Sequence, residues 1–251
     1  MRDVAVVIPA RYASSRFPGK PLAPILGKPM IQHVHERAAT VARRVIVATD
    51  DERIATAVKA FGGEVVMTRG DHPNGTSRIA EVAATLHEDV IVNVQGDEPG
   101  LEPSLIERAV KALRAAGRGV PMATIASPFS HGEDPKSPHL VKVVVDRRGR
   151  ALYFSRSVIP FARDDQPRDA ADSTHAALLR HVGLYAYRRP FLATFVALEE
   201  SPLERTEQLE QLRAIEHGYP IAVAVAEAAV HGIDTPEQLT AFEQALRRES
   251  P

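Results

Sequence analysis

The chain predicts an α/β protein built on a mostly parallel sheet flanked by helices, and three observations carry that expectation. Short apolar runs of strand length alternate with segments of helical periodicity from Val4 to residue 115. Beyond Met122 the runs follow one another with only turns or irregular stretches between them, the pattern of an added mixed or antiparallel part. Polar and charged residues gather just after the apolar runs, at the sheet edge where open α/β folds bind ligands.

The elements follow in order. Val4 to Ile8 is a strand, followed by helical pattern over 30–41. Val45 to Ala48 precedes a helix over 51–61, Val65 to Met67 one over 76–86, and Val90 to Val94 one over 103–115. Strands are then expected at Ala123 to Ala126, Lys142 to Asp146, Ala151 to Ser155 and His181 to Tyr187. The intervening DRRGR of Asp146 to Arg150 has the composition of a hairpin turn. Residues 157–180, rich in Asp, Arg, Pro and Ala, read as a loop or interface segment. Helical pattern returns over Pro190 to Leu198 and over Glu204 to His217, where Leu209, Leu212 and Ile215 form a stripe. Ile221 to Val225 is a further strand. The last helix starts with Thr235 as N-cap, Pro236 in the first helical position and Gln238 three residues after the cap, a capping-box signature. No repeat or Pro/Gly linker divides the chain, so residues 1–251 are expected as one domain with 122–187 as an extension or dimerisation subregion.

Composition narrows the function. With 251 residues, 44% of them apolar and 25% charged, the chain has the makings of an ordinary soluble protein with a sizeable core. A net charge of −1 gives no broad electrostatic footprint for nucleic acid. The absence of cysteine excludes disulfides, zinc-thiolate sites and thiol nucleophiles. A strand begins by Val4 with no apolar leader before it, and no run of about 18 apolar residues occurs, so a cytoplasmic protein without membrane insertion is expected.

Residues 6–20, VVIPARYASSRFPGK, run from a strand into a loop that carries Arg11, Arg16 and Lys20 and no acid. Such a loop is either an ordinary solvated turn or a site offering backbone N–H groups and positive charge to a polyanion, most plausibly a triphosphate. Neither GxxxxGK[ST] nor GxGxxG is present, so the loop is of another kind; GxSxG and HExxH are missing too. His33 and His35, two apart on a helix, point in different directions and make a poor metal pair. VIVNVQGDEP, residues 90–99, delivers Gln95, Asp97 and Glu98 at the carboxyl end of a strand. That is either a solvated turn or the place of a metal carboxylate. Mg²⁺ held by one or two carboxylates and substrate phosphates would call for a second acid. Asp234, just before the last helix, is the candidate, though it equally suits the positive end of that helix. NGTSR, residues 74–78, is a turn and helix start that also offers glycine, hydroxyls and a guanidinium to a nucleotide.

Taken together, IPARYASSRFPGKPL, IVATDDERI, TRGDHPNGTSRIAEV, VNVQGDEP, VKVVVD, ALYFSRSVIP, RHVGLYAYRR, SPLERTEQLEQLRAIEHG and GIDTPEQL resemble, in order and spacing, the 3-deoxy-manno-octulosonate (Kdo) cytidylyltransferases over nearly the whole chain. The resemblance implies a Rossmann-like nucleotidyltransferase, a homodimer, that joins CTP to the anomeric hydroxyl of Kdo and releases pyrophosphate, for lipopolysaccharide synthesis. It implies a triphosphate loop of Arg11, Arg16 and Lys20, with the backbone near Ala10 and the residues Gly75, Thr76 and Arg78 serving the cytidine. Asp97 and Asp234 would be the Mg²⁺ carboxylates. Gln95, Arg156, His181, Tyr185, Glu210 and Gln211 would be the sugar-binding set, with Arg156 facing the Kdo carboxylate. Arg16, Lys20 and Asp97 are expected to carry the chemistry. Ser77 stands where the family commonly has an acid. A cytidylyltransferase for another acidic sugar, such as an amino-Kdo, a neuraminate or a pseudaminate, and a non-catalytic nucleotide-binding module are the competing readings. The module would be expected to lack the paired acids.

Overall fold

The computed structural model describes residues 1–13, 17–130, 132–163, 178–227 and 232–249. The chain forms two compact units, Met1–Ser104 with Val230–Pro251, and Leu105–Ala229.

The first unit opens with β1 (Val4–Ala10), which leads through a loop into a 3-10 turn, Lys20–Leu22, and a two-residue hairpin of β2 (Pro24–Ile25) and β3 (Lys28–Pro29). It continues as α1 (Met30–Ala39), β4 (Arg44–Thr49), α2 (Glu52–Ala60), β5 (Glu64–Met67), α3 (Gly75–Ala83) and β6 (Val90–Asn93). The strands lie in the order β6-β1-β4-β5, all parallel, with Val6 opposite Val45 on one side and Val92 on the other. Strands buried on both faces need continuous apolar runs, and Val4 to Ile8 and Val90 to Val92 supply them. The alternating pattern placed β1, β4, β5, β6 and α1 to α3, whereas the 3-10 turn and the two-residue strands β2 and β3 are too short to leave a periodic signal.

The second unit runs from α4 (Pro103–Ala115), which it shares with the first, through β7 (Met122–Pro128), β8 (Lys142–Val145), β9 (Ala151–Ser155), β10 (Leu179–Arg188), α5 (Arg189–Ala197), α6 (Pro202–Glu207), α7 (Gln211–Glu216) and β11 (Ile221–Val225). Here β7 pairs in parallel with β11 and antiparallel with β10, while β8 pairs antiparallel with both β10 and β9. The small antiparallel part is therefore present as expected. The DRRGR turn closes the β8–β9 hairpin, with Asp146 Oδ1 accepting from the backbone N–H groups of Arg148 and Arg150, both at 2.8 Å. Much of the segment read as a loop at 157–180 lies outside the described residues.

One expected element is corrected. Helical pattern over Glu204 to His217 is two helices, α6 and α7, broken at Gln208, which adopts a left-handed conformation at φ 53. The periodicity of Leu209, Leu212 and Ile215 carried no mark of the break. A side chain far away in sequence provides one: Arg156 donates through Nε to Glu207 O at 2.7 Å and through Nη2 to Gln208 O at 3.2 Å, satisfying carbonyls where the helix ends. Across the break, Arg213 makes a forked pair with Glu204 at 2.7 and 2.6 Å.

The unit also contains a lysine with no exposed surface. Lys142 Nζ donates to the backbone carbonyls of Ser137 at 3.1 Å and Leu140 at 2.7 Å, and to that of Arg156. Burial pushes its pKa down, with the Glu207 carboxylate opposing that shift. Three ammonium donors meeting three carbonyls tie the 137–140 loop to the strand end that carries Arg156.

α8 (Pro236–Glu249) returns to the first unit and packs Leu239, Phe242 and Leu246 against a small core of Ile25, Met30 and Ile233. Its capping box forms as expected, with Gln238 N donating to Thr235 Oγ1 and Gln238 Oε1 accepting from Thr235 N. Because Lys142→Met leaves three backbone carbonyls without their donor, it should destabilise the protein by about 3 kcal/mol in urea unfolding. A near-zero change would show that the loop does not depend on the ammonium.

Candidate active site

Two strand ends and one helix start build the site of the first unit. At Gly96, just past β6, a Cβ would lie 3.0 Å from the backbone oxygen of Pro9 near the end of β1. Only glycine lets the two strand ends approach so closely. The chain then turns through Asp97, whose backbone oxygen accepts from Ile233 N at 2.9 Å. That bond sets Asp234 beside Asp97, the juxtaposition that sequence spacing could not give. From the β1 side, Gly19 takes φ 72 at a point where a Cβ would lie 3.1 Å from the Tyr12 ring, and the 3-10 turn it starts presents Lys20.

Lys20 Nζ lies 2.5 Å from Asp97 Oδ2 and 3.2 Å from Asp234 Oδ1. The three groups stand at a cavity of about 340 Å³ that Ala10, Arg11, Gly75, Arg78 and Gln95 also line. This volume is at the lower end of the range for small-molecule sites. Arg11 is exposed on it. Arg16, the other cation expected in this loop, lies outside the described residues.

The NGTSR segment is a capped helix start as well as a cavity wall. Asn74 Oδ1 accepts from Ser77 N at 2.8 Å, and Ser77 Oγ donates to Asn74 O at 2.9 Å. The hydroxyl that replaces the expected acid therefore closes the first turn of α3. Thr76 is buried. The Arg78 guanidinium is buried and held by Thr68 Oγ1 and by Asp50 Oδ2 at 3.0 Å, so it enters the cavity wall as a neutralised, fixed group. Asp50 and His72 were not singled out in the sequence. Asp50 follows the carboxyl end of β4, a position that could have marked it. His72, buried beside Glu81 with its Nε2 2.5 Å from Oε2, had no such mark.

His33 and His35 go to different partners, Ile25 O for the first and the Phe61 ring for the second. Two carboxylates converging on one cation, both oxygen donors and both partly exposed, suit a hard divalent ion that takes its remaining ligands from phosphate and water. The residues present therefore fit Mg²⁺. Among the described residues no cluster of three or more His, Cys, Asp or Glu offers an all-protein cage.

The second unit gathers the residues expected for the sugar, apart from Gln95 in the first. Arg156 gives three of its five guanidinium N–H groups to backbone carbonyls, those of Glu207, Gln208 and Pro138, and its backbone N–H donates to Glu207 Oε2 at 2.9 Å. Because it grips residues 207–208, it is tied to the turn that leads directly to Glu210, the N-cap of α7, and Gln211, its first residue. The Gln211 side chain is buried, and its Nε2 has no hydrogen-bond partner among the described residues. His181 and Tyr185 project from β10 with ring centroids 5.4 Å apart. Burial raises the Tyr185 phenol well above its ordinary value, with Tyr187 and Glu210 adding to the effect. Burial first, and the Arg180 guanidinium second, push His181 down to about 3.

A parallel sheet edge with a cation-lined cavity and paired carboxylates is the architecture of a nucleotidyltransferase, and the cytidylyltransferase family model matches residues 5–223. A 3-deoxy-manno-octulosonate cytidylyltransferase of Syntrophotalea carbinolica is 56% identical over 248 residues, covering 98% of this chain and 99% of its own. One from Syntrophobacter fumaroxidans is 53% identical over 255 residues, covering 100% and 99%. A solved structure of CMP:2-keto-3-deoxy-manno-octonic acid synthetase complexed with CTP is 45% identical with a TM-score of 0.89, covering 98% of this chain and 99% of that one. The chain belongs to the 3-deoxy-manno-octulosonate cytidylyltransferase family. No helix among the described residues is long and apolar enough to cross a membrane.

The low His181 pKa has a consequence for folding. In the unfolded chain a histidine binds a proton near its ordinary value of 6.5, whereas the folded protein resists it down to about 3. The stability this contributes is complete above 6.5 and falls as pH drops toward 3. Between about pH 7.5 and about pH 5, wild type should lose about 2 kcal/mol more than His181→Gln in denaturant unfolding. Parallel losses would show that His181 accepts a proton in the folded state.

Proposed function

We propose that the protein transfers CMP from CTP to the anomeric hydroxyl of Kdo, giving CMP-Kdo and pyrophosphate. The observation that carries this reading is the convergence of Asp97 and Asp234 on Lys20 at the mouth of the cation-lined cavity. The activity for which the full-length relatives are named supports the substrates, and the chemistry of the residues supports the division of labour.

In this reading the anomeric oxygen forms a bond to the α-phosphorus of CTP, the bond from that phosphorus to the bridging oxygen of the β-phosphate breaks to release pyrophosphate, and the hydroxyl proton passes to solvent water. The backbone near Ala10, with Gly75 and Thr76, receives the cytidine against the wall that Arg78 and Asp50 hold rigid. Arg11, Arg16 and Lys20 receive the triphosphate. Lys20 is a point charge on a flexible stem, so its ammonium can exchange a carboxylate for a phosphate oxygen and neutralise the departing pyrophosphate. Asp97 and Asp234 would hold Mg²⁺, which supplies Lewis-acid polarisation of phosphoryl oxygens. Gln95, His181, Tyr185, Glu210 and Gln211 would orient the sugar acid, and the two remaining N–H groups of Arg156 would meet its carboxylate. Holding both substrates in line accounts for roughly 7 to 11 kcal/mol of barrier lowering in reactions of this kind.

Pyrophosphate release, measured with CTP against a panel of acidic sugars with and without Mg²⁺, tests the reading. Release with Kdo in Mg²⁺ is expected. Asp97→Ala should lower it more than about a hundredfold while the thermal melt stays close to wild type. Near-normal turnover of that variant in Mg²⁺ would sink the metal assignment. Arg156→Ala should raise the KM for the sugar acid roughly tenfold or more and leave that for CTP nearly unchanged, as loss of a charge-assisted contact demands. Equal changes in both constants would refute its carboxylate role.

A further inference from the structure

β10 carries a bulge. Its register against β7 slips between Val182 and Tyr185, so that Val182 pairs with Ile125 and Tyr185 with Thr124. Thr124 is fully buried opposite the bulge, and its hydroxyl oxygen lies 2.8 Å from Leu184 O, 3.2 Å from Val182 O and 2.9 Å from His181 Nε2.

A threonine hydroxyl has one proton. Carbonyl oxygens can only accept, so that proton must go to Leu184 O or be shared with Val182 O. Were it directed at the imidazole instead, both carbonyls would face hydroxyl lone pairs with no donor between them, a costly arrangement at a buried position. The remaining contact is then possible only if His181 Nε2 carries a hydrogen and donates it to Thr124 Oγ1. A neutral imidazole has one N–H, so Nδ1 is left as an acceptor. No described residue bonds to Nδ1. The ring's orientation is held by the edge of Phe154, with centroids 5.0 Å apart and an interplanar angle of 78°, and by Tyr185 on another side. The depressed pKa keeps the ring neutral in ordinary buffers.

We infer that Thr124 is a positioning residue of the sugar site: through the β10 bulge it fixes His181 as the Nε2–H tautomer, so that Nδ1 accepts a hydrogen bond from a hydroxyl of the sugar acid. This inference rests on the placement of His181 among the sugar-binding residues. An acceptor at that point favours a hydroxyl-bearing substrate and rejects a carbonyl or carboxylate oxygen in the same place. It also gives the bulge a role, since an unbroken ladder would not bring two carbonyls to one threonine.

Nitrogen-15 NMR of histidine-labelled wild-type protein, with His181 assigned by comparison with His181→Gln, reads the tautomer directly and needs no substrate. The Nε2–H form is expected, and an Nδ1–H or charged ring would overturn the inference whatever the protein's substrate. In steady-state assays Thr124→Val should mix the tautomers and raise the KM for Kdo about three- to tenfold, with the KM for CTP unchanged. Thr124→Ser, which keeps the hydroxyl, should restore both the tautomer and the KM. A Thr124→Val protein with the wild-type tautomer and wild-type KM would overturn the positioning role. An Nε2–H ring in a protein that does not turn over Kdo would leave the tautomer assignment standing and refute the function assigned to the site.

Discussion

Lys20 lies between Asp97 and Asp234, and the arrangement of the first unit follows from what that small group requires. Two carboxylates brought together repel each other unless a cation lies between them, and each must be delivered by an element rigid enough to hold it there. The β6 end delivers Asp97 because Gly96 lets it pass close to Pro9. The 3-10 turn delivers Lys20 because Gly19 accepts a left-handed conformation. α8 delivers Asp234 because its apolar face covers Ile25 and Met30, and because Ile233 donates to the main chain of Asp97. These three contributions come from the beginning, the middle and the end of the sequence.

What was legible in the sequence is what local physics determines. The parallel strands of the first unit are long enough and apolar enough that period and turn residues place them, and the DRRGR hairpin and the Thr235 cap are written in residues only a few positions apart. The long ordered set of motifs likewise identified the family without structural help. Asp234 was legible as a residue but not as a neighbour. Its two readings, complement to a helix and partner to Asp97, differ only in where α8 docks, and docking is a tertiary event. The break at Gln208 was hidden for a related reason, since Gln carries no turn preference and the carbonyls exposed there are satisfied by Arg156, just past the end of β9.

Several charged groups have structural partners that their residue type did not reveal. By residue type Arg78 offers a guanidinium to a nucleotide, yet Asp50 and Thr68 already hold it. Arg156 does two things at once, closing the end of α6 while keeping donors in reserve. Ser77 shows the converse, a departure from the family pattern that the local backbone uses, because a hydroxyl reaches Asn74 O and finishes the turn. In each case the side chain's inventory of donors and acceptors, compared with the partners the fold gives it, decides how much remains for a ligand.

Lys142 bears on how the second unit keeps its shape. Three carbonyl oxygens converging on a buried positive centre form the kind of cage that many proteins fill with a metal or alkali ion. Here the cation is covalently part of the chain. It is synthesised with the loop it organises, cannot be removed by a chelator, and does not compete with the divalent ion proposed for the other unit. The ordering of residues 137–140 and of the Arg156 strand end is thereby uncoupled from the ionic composition of the surroundings.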